Sequence, residues 1–364
     1  MATTFGADTS HGTALAPVDR LRRALLAAVE PVAARSVPIA RARGRVAASD
    51  VVAAEPVPTR DLATIDGWAV AAVETVGASP YAPAFVTEVR PVTAGAALPP
   101  GCDAVVASVG ARTEAGLLMV ESAVAPGDGV RPVGFDLRAG AVPARGGEAL
   151  DGLALFALEA AGIEWIEVRV PRVTVSGTNA GAARFVAGEV EARGAEIGAD
   201  GEIEVVIAGP VVAFDHEAVA ELRARGEVLA RGIALGGAET AVAGRIDGRV
   251  RLVMPDRPEA VFAVTRALIL PLIDALAGAT RAEARETRAL ARKLVSRVGL
   301  HQSALVEVDA GGCWRPLATG DLTLAALARA EAVIDLAPES EGLAEGTAVA
   351  ATLLRNRSKG GCVS

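Results

Sequence analysis

Two carboxylates five residues apart, Asp61 and Asp66, bracket a small, mostly apolar spacer and are followed by Gly67 and Trp68. A glycine lets backbone come close to a ligand, and paired acids in such a loop suit magnesium or proton chemistry. The same residues also suit a capped turn leading into a buried strand, because Asp and Gly favour turns for local reasons. Further along, Ser176-Gly-Thr-Asn-Ala-Gly, Gly209-Pro-Val-Val and Pro255-Asp-Arg-Pro are short polar or glycine/proline loops, each after an apolar run. Thr178 and Asn179 there can donate to a phosphate or cap a helix. Pro258 suits the first turn of a helix, so Pro255 and Pro258 read as shaping a strand-to-helix turn as well as lining a site.

The elements that must position these residues follow from hydrophobic spacing. The run from Pro56 to Pro58 predicts an extended approach to the acid pair. Val18 to Ala34 has helical spacing, with Leu21, Leu25, Leu26 and Val29 on one face. Short strand-like runs separated by Gly/Pro turns fill Trp68 to Arg138 and predict a small β module. Gly152 to Ala161 returns to helix. From Val168 to Leu276 strands and helices alternate: Val173–Thr178, Ile203–Gly209 and Val250–Met254 are strand-like, and Ala180–Arg193, Asp215–Arg225 and Pro258–Leu276 are helical. Such alternation predicts a parallel sheet with helices on both faces and ligands beyond the carboxyl ends of the strands. The three polar loops lie at those ends. After Arg292, several strand-like runs surround one helix near Leu322 to Ala330.

Composition bounds the rest. The chain has 364 residues, 51% of them hydrophobic, which predicts two or more domains. Aromatics are 3%, so the cores must be built from Ala, Val and Leu. A formal charge of −8 argues against a nucleic-acid surface. Lys293 and Lys359 are the only lysines. Cys102, Cys313 and Cys362, and His11, His216 and His301, are scattered, giving neither a disulfide framework nor zinc spacing nor a Ser-His-Asp triad. Cys362 stands third from the end, one place short of a prenylation box. Met1 to Pro17 reads as a disordered tail without a leader pattern, and no run approaches the ~20 apolar residues that span a bilayer. The expectation is a cytoplasmic protein with no membrane or nucleic-acid partner.

The order of residues carries more than the spacing. Asp61-Leu-Ala-Thr-Ile-Asp-Gly-Trp-Ala resembles the loop DNSAMDGYA of the molybdenum-insertase family (MoeA, and the E domain of gephyrin), with Trp68 in place of Tyr. Ala94 to Val106 resembles that family's TGAPLPEGADAVV, Val130 to Gly140 its VRRRGEDISAG, and Val250 to Phe262 the stretch ending LPGNPVSA. Leu327 to Leu354 resembles its closing module, and the blocks follow in the family's order.

The resemblance implies a multidomain α/β chain. It has a tail at 1–17, an extended lower domain from 18–50 plus 139–170, and an inserted β module at 51–138. A molybdopterin-binding-like α/β domain follows at 171–290, and a C-terminal β module at 291–357. It further implies a homodimer that turns adenylylated molybdopterin and molybdate into molybdenum cofactor with Mg²⁺, and another cofactor-biosynthesis protein as partner. Asp61 and Asp66 are then the catalytic pair, with Asp61 holding the metal. Thr93, Thr178, Asn179, Gly209, Pro255, Asp256, Arg257 and Pro258 are then substrate-binding.

The departures from the family fall where ligands bind. Its TGAP threonine is Ala94 here, with Thr93 one place earlier. Its STGDEL acids become Asn179 and Ala180, its SGG loop becomes Ala208-Gly-Pro, and its KPGKP becomes Gly236-Gly-Ala-Glu-Thr. Oxyanions and phosphates need cations or aligned N–H groups. The alternative reading is therefore a catalytically degenerate relative that binds molybdopterin or an insertase partner.

Overall fold

A computed structural model describes residues 14–354. His11, Lys359, Cys362 and most of the expected tail lie outside the described residues. Within that tail, residues 14–17 are part of the fold: the Ala16 N–H donates to the Gly232 carbonyl at 3.0 Å, and its own carbonyl accepts from Ala234 at 2.8 Å.

Helix α1 (Val18–Leu26) buries Val18, Leu21 and Leu25. It stops short of the expected Ala34, because Pro31 disfavours helical geometry at Glu30. The lower region is a three-stranded antiparallel sheet in which Trp165–Arg169 lies between Arg35–Pro38 and Val46–Ala47. Helix α2 (Gly152–Ala160) is capped by Asp151, whose carboxylate accepts from Leu153 and Ala154 N–H. Leu158 joins Leu150, Ile166 and Val168 in a core, while Leu153 and Phe156 face solvent.

Residues 62–131 form short antiparallel sheets. Gly67–Val70 pairs with Pro91–Val92 and Ala104–Ala107, Leu117–Val120 lies between Ala84–Val86 and Ala111–Glu114, and Leu62–Ala63 pairs with Val130–Arg131. The Val57–Pro58 peptide is cis.

The central sheet has six strands in the order Glu196–Ile197, Arg172–Gly177, Ile203–Ile207, Arg249–Met254, Val242–Ile246, Glu227–Arg231. The first four run parallel, as the strand–helix alternation predicts. The last two are antiparallel, so the sheet is mixed rather than wholly parallel. The reason is local: Asp247 and Gly248, both at positive φ, close a tight hairpin between the fourth and fifth strands in place of a crossover helix.

Helices α3 (Ala180–Ala192), α4 (Glu217–Arg225), α5 (Pro258–Val264) and α6 (Leu270–Ala277) cover the sheet. A π turn, Thr265–Ile269, joins α5 to α6. Together they make a 20-residue helix, Pro258–Ala277, long and apolar enough on average to cross a membrane although it carries Glu259, Arg266 and Asp274, which qualifies the expectation that no run approaches that length. In the fold 72% of that window is buried, with Val261, Leu268, Leu272 and Ile273 in the largest core.

The C-terminal sheet is antiparallel, in the order Arg285–Ala289, Ala348–Leu353, Ala332–Leu336, Gln302–Val308, Trp314–Thr319. Helix α7 (Leu324–Arg329) packs on it through Ala326.

Arginines join the α/β layer to the lower region. Glu196 accepts from Arg35 at 2.5 Å and from Arg45 at 2.8 Å. Burial alone pushes its carboxyl upward, but the two guanidiniums outweigh that and hold it low. Arg281 donates to the Gly44 carbonyl at 3.0 Å and the Arg193 carbonyl at 2.8 Å, and Arg193 pairs with Asp274 at 2.9 Å. Desolvation is the main cause that lowers the Arg281 pKa.

Candidate functional site

The first group of expected residues comes together around the acid pair. Asp61 Oδ1 accepts from the Val133 N–H at 2.7 Å, and Asp66 Oδ1 accepts from the Ala94 N–H at 2.8 Å. Leu98 donates to the Asp61 carbonyl at 2.9 Å, Ala63 to the Ala96 carbonyl at 2.8 Å, and Thr64 to the Gly129 carbonyl at 2.8 Å. The segments 61–67, 93–98 and 129–136 are thus stitched together by the carboxylates and by main chain. Thr93 is exposed beside Ala94.

Each carboxylate closes a loop with one oxygen. Both bonds are long-range, to main chain 72 and 28 residues away, rather than the local turn caps the sequence offered, and both side chains are exposed. A concavity of about 580 Å³ adjoins, lined by Pro56, Pro132, Val133, Gly134, Phe135 and Arg138. Arg131 pairs with Asp136 and lies over the Phe135 ring. The hydrogen bond from Arg131 is the main reason the Asp136 carboxyl is held low. Trp68 packs in the module core with its indole Nε1 buried and unpartnered.

The second group stands at the carboxyl ends of the parallel strands. The strand Arg172–Gly177 ends at a glycine with φ +144°, where a Cβ would lie 2.3 Å from the Ile207 carbonyl oxygen. Asn179 then caps α3, its Oδ1 accepting from Gly181 and Ala182 N–H. Its Nδ2 donates to Asp256 Oδ2 at 3.2 Å. Asp256 therefore ties two loops together, and Arg257, without a side-chain cap of its own, precedes Pro258 at the start of α5. Asp256 N–H also donates to the Gly209 carbonyl at 3.2 Å, joining the third loop.

These loops border a cavity of about 750 Å³. Asn179, Asp256, Arg257 and Pro258 line it; Thr178, Gly209 and Pro255 belong to the same loops but not to its wall. The remaining wall was not anticipated from sequence: Phe185 and Glu189 on α3, Phe262 on α5, Arg266 on the π turn, and Leu324 and Leu327 on α7. The available signal was the apolar spacing of α3 and α7, which predicts a packing face without saying what it packs against.

The charge inside this rim is unusual for an anion site. Arg257 donates to the Gly237 carbonyl at 2.8 Å and stands 3.7 Å from Glu239 and 3.4 Å from Glu259. Arg266 stands 3.9 Å from Glu283 and 3.8 Å from Asp335. Both cations are already neutralised by carboxylates. Among the described residues, no group of three or more His, Cys, Asp or Glu converges as a metal site. The acid pair and the cavity lie on different sheets and share no wall residue.

Comparison with known proteins gives the geometry a context. A family model for the MoeA N-terminal region, domains I and II, matches residues 16–162. Molybdopterin molybdenumtransferase 2 of Mycobacterium tuberculosis, in strains CDC 1551 and H37Rv, is 30% identical over 158 residues. The match covers 38% of this chain and 39% of that protein, so the chain aligns with well under half the length of these curated relatives. A solved MoeA structure from Pyrococcus horikoshii superposes with a TM-score of 0.77 at 22% identity, covering 94% of this chain and 100% of that one. A molybdenum cofactor biosynthesis protein from Pyrococcus furiosus gives 0.58 at 16% identity, covering 93% and 99%. At those identities the likeness is one of fold. The chain therefore resembles the MoeA family in sequence over residues 16–162 and in fold over 94% of its length.

Proposed function

We propose that this chain serves molybdenum cofactor biosynthesis in the cytoplasm, holding molybdopterin or adenylylated molybdopterin at the strand-end cavity. The observation that carries the reading is the placement of Asn179, Asp256, Arg257 and Pro258 on one cavity wall at the carboxyl ends of the parallel strands. That is where open α/β sheets bind ligands. The MoeA-like sequence and fold supply the substrate class.

In its full form the proposal is a molybdotransferase. Molybdate enters adenylylated molybdopterin and AMP leaves. Asp61 fits Mg²⁺ in a limited way: Oδ1 is engaged by Val133, and one remaining carboxylate oxygen suits an ion that takes its other ligands from water and phosphate. The ion would supply charge stabilisation at the phosphate. Asp61 would position it, and Asp66 would hold the 93–98 segment in place through Ala94. Because the acid pair and the cavity sit on different sheets, the reading joins them through a homodimer. Leu153, Phe156 and Trp165, exposed at 79%, 73% and 59%, offer apolar surface for one.

The neutralised arginines favour a second reading, in which the chain binds a pterin or another cofactor-biosynthesis protein without inserting metal. One assay separates the two. The purified protein is given adenylylated molybdopterin, molybdate and Mg²⁺, and AMP release is followed beside pterin binding by calorimetry. Release that disappears in Asp61→Ala supports the transferase. Binding without release supports the second reading, and absence of both overturns the proposal.

A further inference from the structure

Two arginines meet on Phe214 without a carboxylate partner among the described residues. Phe214, in the loop between the strand Ile203–Ile207 and α4, is 53% exposed. The Arg231 guanidinium carbon stands 4.0 Å from its ring centre and that of Arg223 stands 4.5 Å away. Among the described residues, neither arginine has a carboxylate partner, and Asp215, next to Phe214, pairs with neither. This contrasts with Arg257 and Arg266 on the cavity wall, each within 4 Å of two carboxylates.

Register places Arg231 where a ligand can use it. Arg231 sits opposite Val242, Val242 opposite Val253, and Val253 opposite Val206. Arg231 is therefore level with the carboxyl ends of the parallel strands, on the edge strand. The loop carrying Phe214 is anchored to the same rim, because the Val212 N–H donates to Thr240 Oγ1 at 3.3 Å and Gly209 accepts from Asp256.

The chemistry follows from how a guanidinium stacks. Contact with a ring uses up none of its five N–H donors in a carboxylate pair, so they remain available to an anion. Two such cations on one ring are no farther apart than their two ring distances together, and an anion bound by both offsets their mutual repulsion. We infer that Arg223 and Arg231, held on Phe214, form a binding site for a tetrahedral oxyanion: a phosphoryl group or molybdate. In naming the residues that hold an anion it deepens the reading proposed above. Inorganic probes keep its failure distinct from a failure to bind pterin.

Phosphate, pyrophosphate and molybdate are titrated separately by calorimetry into the full chain and into Arg231→Ala, Arg223→Ala and Phe214→Leu. Arg249→Ala, an exposed arginine paired with Asp200, is the control. The expected result is saturable binding of at least one anion, weakened about tenfold or more by either arginine variant. Phe214→Leu, which keeps both charges and removes the platform, weakens it by a smaller factor, and Arg249→Ala leaves it unchanged. Tighter pyrophosphate assigns the site to a phosphoryl group, and tighter molybdate to the metal oxyanion. Absence of binding, or binding equal in wild type and both arginine variants, overturns the inference.

Discussion

Replacing Gly67 by alanine is the sharpest test of how the acid loop is built. Gly67 is buried at the head of the strand Gly67–Val70, directly after Asp66. A Cβ there would lie 2.0 Å from the Val106 carbonyl oxygen and 2.9 Å from its carbon. The obstacle is main chain, so no rotamer change relieves it. The strand Ala104–Ala107 must retreat by about 1 Å, since real contacts of this kind start near 3 Å. That retreat loosens the pairing of Gly67 with Ala107 and of Trp68 with Val106. Overpacking of this kind costs about 1–3 kcal/mol, and the main-chain origin places this case at the upper end, about 3 kcal/mol. For a module of roughly 90 residues the melting midpoint then falls by about 12–24 °C. The comparison is Gly188→Ala on α3, exposed with nothing within 4 Å of its Cβ position. There alanine stabilises by about 0.5–1 kcal/mol through helix propensity. Calorimetric melts of both variants, with Trp68 fluorescence reporting on the strand, give the answer. A Gly67→Ala midpoint equal to wild type, or a destabilised Gly188→Ala, refutes the steric argument.

Other consequences are open to direct measurement. Asp66→Ala leaves the Ala94 N–H without its acceptor; urea unfolding should show a loss of about 1 kcal/mol. Glu239→Gln removes one carboxylate from Arg257 on the cavity wall, at a partly exposed pair worth about 0.5–1 kcal/mol, so titration with molybdopterin should show roughly two- to fivefold tighter binding. Glu221 accepts from Arg251 at 2.6 Å, and that hydrogen bond, then the attraction of the same guanidinium, holds its carboxyl low. Its contribution is complete above the ordinary glutamate value of about 4.3 and is lost as pH falls through the lower folded value. Glu221→Gln should therefore melt below wild type at pH 7 and converge with it in acid, as scanning calorimetry across pH 3–7 would show.

The three parallel strands at 172–177, 203–207 and 249–254 were legible because each is rich in Val, Ile or Leu at strand spacing and has a polar or Gly/Pro loop after it. The strands Glu227–Arg231 and Val242–Ile246 were not, because Glu227, Gly244 and Arg245 break the pattern. Gly244 is there for contact rather than for composition: a Cβ would meet the Glu227 carbonyl oxygen at 2.1 Å. The strand Trp314–Thr319 was hidden by Pro316, which a sheet edge beside a register shift tolerates. The site divided the same way. Asp61, Asn179 and Asp256 stood out through residue type and loop context. The wall supplied by Phe262, Arg266 and Leu324 depends on where one sheet packs against another helix layer, which no local spacing encodes.

The side-chain joints between the α/β layer and the lower region are made by Arg35, Arg45 and Arg281, with no lysine among them. A guanidinium keeps its proton far into alkali, where an ammonium would lose it. These joints consequently have no alkaline breaking point within the range where proteins are handled, and amine-directed acylation leaves them untouched. Lys293 is the only lysine among the described residues, so it becomes a near-unique chemical handle on a chain whose positive charge is otherwise inert to such reagents.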